Sequence, residues 1–181
     1  MTTSGIKISI MKIFEKKQFL VLVTLIGLLG IATSYYLGMR EMPNGINDLW
    51  GNTPEHIKPL YFITTSLAFI GFSLAFFYVV FKTDLFNYYP ITRSVIIIMV
   101  ASMLWLPYTA EMVNDPTSFT WIKTRIALLL VGLGSWFFFR RMWLMQDQQE
   151  SRWKKLAVMG SGIFFFHTMV MDAILWPMWF R

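Results

Sequence analysis

Charged residues are absent from 18–39 and from 59–81, and the runs 94–110 and 126–139 are likewise uncharged. The stretch 156–180 carries a single charge, Asp172. A hydrocarbon core about 30 Å thick takes roughly 20 helical residues. The first, second and fifth runs meet that length by themselves. The third meets it when extended from Pro90, a favourable first helical residue, to about Val113. The fourth meets it from Trp121, which puts Lys123 and Arg125 in its first turns, where long basic side chains reach the interface. The pattern therefore predicts an all-α fold, a polytopic membrane protein with five transmembrane helices near 18–39, 60–81, 91–112, 121–141 and 155–179. A four-span alternative leaves the fourth run buried or re-entrant.

Residues 1–17 read as a basic N-terminal segment ahead of one domain over 18–181. Lysines before the first run, with Ala32-Thr33-Ser34 at its end, also fit a cleavable signal. The run continues through Tyr35, Tyr36, Leu37 and Gly38, which favours a retained anchor. Met11 would serve as an alternative chain start.

Composition agrees with the pattern. Of 181 residues, 56% are hydrophobic and 14% charged, with no cysteine. Such a chain is neither disordered nor an ordinary soluble domain, and it has no disulfide or thiolate metal site. The net charge of +6 is unevenly placed. Lys7, Lys12, Lys16, Lys17, Lys82, Arg93, Arg140, Arg141, Arg152, Lys154 and Lys155 fall on one side of a five-span bundle. Only Arg40, Lys58, Lys123, Arg125 and Arg181 fall on the other. The positive-inside bias puts the N-terminus in the cytoplasm and the C-terminus outside, as expected for an integral protein of the cytoplasmic (inner) membrane if the source is bacterial. The basic excess then meets anionic headgroups, and no loop is long enough for a nucleic-acid-binding domain.

The loops hold no soluble domain. Between the first two spans, Pro43-Asn44-Gly45 signals a turn, and Thr53-Pro54-Glu55 predicts a short interfacial helix leading into span two, with Trp50 near the headgroups. Spans two and four both end in aromatics and a base, and spans three and five both end in Trp and Pro. A tandem repeat of two hairpins would give this, as would ordinary interface chemistry.

Ionisable groups inside a membrane face the protein interior and often carry function. Asp172 is the clearest. Ser161, Phe165, Thr168, Asp172 and Trp176 repeat at helical spacing and form one stripe. Arg125 is expected at similar depth on a neighbouring span, so an Arg125–Asp172 pair would either lock two helices or orient a ligand. Glu111 completes that cluster or is solvated at the rim. His167 lies five residues before Asp172, about 140° away around an α-helix, so a dyad between them is not expected. One intramembrane histidine does not make a haem or metal site; no metal is predicted, and the sequence leaves any cofactor unknown.

The chain has no nucleotide loop, zinc motif or paired intramembrane carboxylates, so the reading leans away from an enzyme. The leading expectation is a protein that binds a lipophilic or amphipathic small molecule or lipid in an outward-facing pocket lined by Trp105, Glu111, Arg125, Thr168, Asp172 and Trp176. The alternatives are a small transporter or channel subunit coupling protons or ions through His167 and Asp172, and an accessory subunit with no site of its own. Expected partners are the bilayer, a lipophilic small molecule, and a second copy or a complex subunit. Small residues such as Gly30, Ser34, Gly38, Gly71 and Gly160 would let helices approach closely in any of these.

Overall fold

The computed structural model describes residues 16–83, 88–145 and 152–180. Most of the basic N-terminal segment, including the alternative start at Met11, and Arg181 lie outside the described residues. Five helices are long and apolar enough to cross a membrane. They are α1 (Lys17–Glu41), α2 (Lys58–Phe81), α3 (Tyr89–Asn114), α4 (Ser118–Leu144) and α5, which begins at Arg152 and continues to Trp179. The fourth run is thus a full-length helix. It begins three residues earlier than expected because Thr117 and Thr120 form a reciprocal capping box that satisfies its first amides.

Exposed surface is apolar along much of the helix lengths, with Leu25, Leu29, Phe62, Ile63, Phe69 and Phe77 all outward. Water would penalise that surface and lipid would not. One end of the bundle gathers Trp50, Trp105, Trp176 and Trp179 and is called here the aromatic end. The other, where α2 and α4 finish and α3 and α5 start, is the basic end.

The helices do not pack in sequence order. α1 packs on α3, α3 on α4, α4 on α5, and α5 on α2. Around the bundle the order is α1–α3–α4–α5–α2, a ring left open between α2 and α1. The interfaces α3–α4 and α5–α2 would exchange under a two-fold relation between the hairpins α2–α3 and α4–α5, the arrangement a tandem repeat would give.

Small residues set the contacts. Gly27, Gly30 and Gly38 of α1 receive Met99, Met103 and Leu106 of α3. Gly71 of α2 and Gly160 of α5 bring two backbones together, and a Cβ on Gly160 would lie 2.7 Å from the Gly71 carbonyl oxygen. Pro107, inside α3, has no N–H for the carbonyl of Met103 one turn earlier. That carbonyl instead accepts a 2.5 Å hydrogen bond from the Ser34 hydroxyl on α1.

The loop joining α1 to α2 differs from expectation. Its helical turn is a 3-10 segment, Gly45–Trp50, and the chain after Thr53 turns directly into α2 with Pro59 in the first helical turn. The turn is pinned across the aromatic end. The Trp176 indole N–H donates to the Leu49 carbonyl (2.8 Å), and Asn52 N–H donates to the Trp179 carbonyl (2.9 Å).

Candidate functional site

The last part of α5 is not an α-helix. It is α-helical over Arg152–Phe166, π-helical over His167–Leu175, and 3-10 over Trp176–Trp179. In a π-helix the bonds run from residue i to i+5, so residues five apart lie nearly one above the other. The final π-type bond is Trp176 N–H to the Met171 carbonyl. The next in that register would need an N–H from Pro177, which has none, so the π segment ends there. The Tyr61 hydroxyl of α2 also donates to the Met171 carbonyl (2.8 Å), fixing the widened turn against α2.

This change of register overturns the expectation that His167 and Asp172 point apart. His167 Nε2 lies 3.5 Å from Asp172 Oδ2. The imidazole is buried and held on both sides by α2: Nδ1 is 3.1 Å from the Thr64 hydroxyl and Nε2 is 3.2 Å from the Thr65 hydroxyl. Thr64 donates its own proton to the Leu60 carbonyl (2.9 Å), so its oxygen accepts from Nδ1–H. Nε2 of the neutral ring then presents a lone pair, which Thr65 can satisfy as donor. The carboxylate oxygen faces that same lone pair. Two acceptors at this distance are compatible when one proton lies between them, on the acid or on the imidazole.

The Asp172 side chain keeps 29% of its accessible surface, and that surface opens into a central cavity of about 290 Å³. All five helices contribute to its wall: Tyr35 from α1, Thr65 and Phe72 from α2, Met99 and Trp105 from α3, Leu128 and Val131 from α4, and His167, Thr168 and Asp172 from α5. The wall is apolar apart from one cluster of Tyr35, Thr65, Ser102, His167, Thr168 and Asp172. Trp105 adds an indole Nε1 that is buried and meets no acceptor among the described residues. A buried donor without a partner costs about 1–3 kcal/mol, so this N–H is a natural contact for a bound acceptor.

The lining residues that remain exposed, Leu28, Thr65 and Phe69, are all on α1 and α2. The mouth therefore lies at the open seam between those helices. At the aromatic end the bundle is filled by rings. Trp105 meets Tyr35 and Trp176 edge-on, with centroids 5.6 and 5.8 Å apart, and Tyr61 meets Trp50 and Trp179. The opening is lateral, where the sequence had suggested an outward one.

The expected site residues divide into two groups. Trp105, His167, Thr168 and Asp172 line the cavity. Thr168 also bonds the Ser135 hydroxyl of α4 at 2.6 Å, joining α4 to α5. Trp176 is one layer above, its ring packed on Phe180 and its N–H used by Leu49. Glu111 and Arg125 are elsewhere. Glu111 is exposed at the end of α3, where its carboxylate pairs with the Lys123 ammonium. The Arg125 guanidinium stacks on Trp121, one turn earlier on its own helix, 4.4 Å from the ring. Among the described residues the ion-pair contact of Asp172 is with His167, not with Arg125. The inward stripe of α4 is Thr120, Thr124, Leu128, Val131 and Ser135, and Arg125 flanks it. Sequence reasoning missed Tyr35, Thr64, Thr65 and Tyr61. The adjacent Thr64-Thr65 pair in an apolar run was the available signal.

A larger groove of about 790 Å³ crosses the surface of the aromatic end, but its one acid, Asp48, already accepts from Asn44. The described residues contain no cluster of three or more metal-ligating side chains. Compared with family models, with curated proteins and with solved structures, the chain matches none, so the functional reading rests on this geometry.

Proposed function

We propose that this chain is an integral membrane protein, N-terminus in the cytoplasm, that holds a small amphipathic molecule or lipid in its central cavity. The observation that carries the reading is a cavity shared by five helices, with apolar walls, one carboxylate and one unpartnered indole N–H. Its volume of about 290 Å³ is near the lower end for small-molecule sites, which suits a compact ligand or part of a longer one. The polar end of the ligand accepts from Trp105 and donates to Asp172, as a hydroxyl or amide does. Entry is through the seam between α1 and α2, directly from lipid.

Native mass spectrometry of the protein in mild detergent tests this. The wild type should retain a lipophile, and Asp172→Asn should lose most of it without loss of helicity. Equal occupancy in the variant would remove Asp172 from the site.

A second reading is favoured by the His167–Asp172 contact. A proton held between the two groups, next to a cavity, is what a proton-coupled transporter needs. It predicts flux in liposomes that follows a pH gradient and is abolished by Asp172→Asn. Retention of a ligand without any gradient-dependent flux leaves the binding reading alone.

A further inference from the structure

A second cavity, of about 370 Å³, lies at the basic end between the first turns of α3 and the last turns of α4. Arg93 of α3 and Arg140 and Arg141 of α4 converge on it, with Tyr89 beside them. Among the described residues no carboxylate lines this groove, and none of the three arginines has an ion pair. The Nε of Arg141 is buried and has no hydrogen-bond partner among the described residues. Three guanidinium groups around one space repel each other unless an anion lies between them. The start of α3 adds the positive end of a long helix dipole.

The same groove is half apolar. Ile97, Phe137 and Leu144 complete its wall, and Phe137 and Leu144 are exposed on the surface that faces outward from the bundle. A free anion would gain nothing from those side chains, whereas a lipid would. We propose that this groove binds an anionic phospholipid. Arg93, Arg140 and Arg141 take the phosphate oxygens through forked N–H donors, and an acyl chain lies along Phe137 and Ile97. The inference rests on the membrane reading above but not on any ligand in the central cavity.

The test uses the full chain in mild detergent, titrated with phosphatidylglycerol, phosphatidylcholine and inorganic phosphate and read by native mass spectrometry. Phosphatidylglycerol should bind at least tenfold more tightly than phosphatidylcholine, and millimolar phosphate should not displace it. The double variant Arg140→Gln/Arg141→Gln should lower phosphatidylglycerol affinity about 25-fold, roughly fivefold per arginine, and remove most of that preference. Arg152→Gln, an exposed base at the start of α5 outside the groove, should leave the preference unchanged. Arg140→Lys/Arg141→Lys keeps the charge, so it should retain the preference at reduced affinity and covers the case in which the Gln variant fails to fold. The proposal is overturned by equal binding of the two lipids, by an unchanged preference in the Gln variant, or by displacement with phosphate, which would mark a free-anion site. Recovery of the chain from membranes by alkaline wash alone would instead contradict the membrane reading.

Discussion

Ser34 and Pro107 offer a quantitative test of how α1 is held. α1 packs chiefly on α3, and two hydrogen bonds cross that interface among the described residues: the Ser34 hydroxyl donates to the Met103 carbonyl within it, and the Asn114 side-chain amide donates to the Glu41 carbonyl at the helix ends. Pro107 removes the donor that this carbonyl would otherwise have within the helix. Removing the hydroxyl by Ser34→Ala leaves the carbonyl orphaned. Mutational values for an orphaned buried group are about 1–3 kcal/mol, and interhelical bonds in membrane proteins average about 0.6 with a maximum near 1.7. The low membrane average reflects alternative partners, and Met103 has none in its own helix. Ser34→Ala should therefore cost about 1.5 kcal/mol. In a Pro107→Ala background residue 107 supplies an N–H to Met103, and the same change should cost less than about 0.5 kcal/mol. Reversible unfolding in mixed micelles, applied to the four proteins of the double-mutant cycle, should give a coupling near 1 kcal/mol. A Ser34→Ala cost that is the same in both backgrounds would refute the idea that Ser34 replaces the donor Pro107 lacks.

Other expectations follow from the same contacts. Gly71→Ala puts a Cβ against the Gly160 carbonyl, a backbone atom that cannot rotate away, and should destabilise by about 1–3 kcal/mol in the same assay. Gly162→Ala meets only the Phe139 ring edge at 3.3 Å and should cost clearly less, so equal losses would discount the close α2–α5 approach. Glu111→Gln breaks a partly exposed pair with Lys123 and should change stability by about 1 kcal/mol or less and leave ligand retention intact; a loss of retention would return Glu111 to the site. The chain has no native cysteine, so Leu28→Cys/Phe69→Cys joined by a bis-maleimide should close the seam between α1 and α2 and slow ligand exchange at least tenfold. Unchanged exchange would place the entrance elsewhere.

The five helices were legible because a membrane-length apolar run between polar flanks has few other uses, and the expected ends fell within a few residues of those observed. Part of the site was legible for a similar reason: a charge such as Asp172 amid apolar residues has to face the interior. The pairing of Arg125 with Asp172 failed because it was inferred from depth alone. Two residues at one depth meet only if both helices turn those faces to each other, and Arg125 lies beside the inward stripe of α4, over Trp121.

The sequence by itself determined the number, length and type of the helices, the uneven distribution of basic residues, and the short list of polar groups that apolar runs contain. These depend on local composition, which each segment carries alone. The tertiary structure decided the order of the helices around the bundle, with α2 against α5 and an open seam beside α1. It also decided the π-helical register after Phe166 that brings His167 to Asp172. One additional residue per turn is invisible to a periodicity read at α-helical spacing. That register is held by partners more than 100 residues away in sequence: the Tyr61 hydroxyl on Met171, and the Thr64 and Thr65 hydroxyls on the His167 ring.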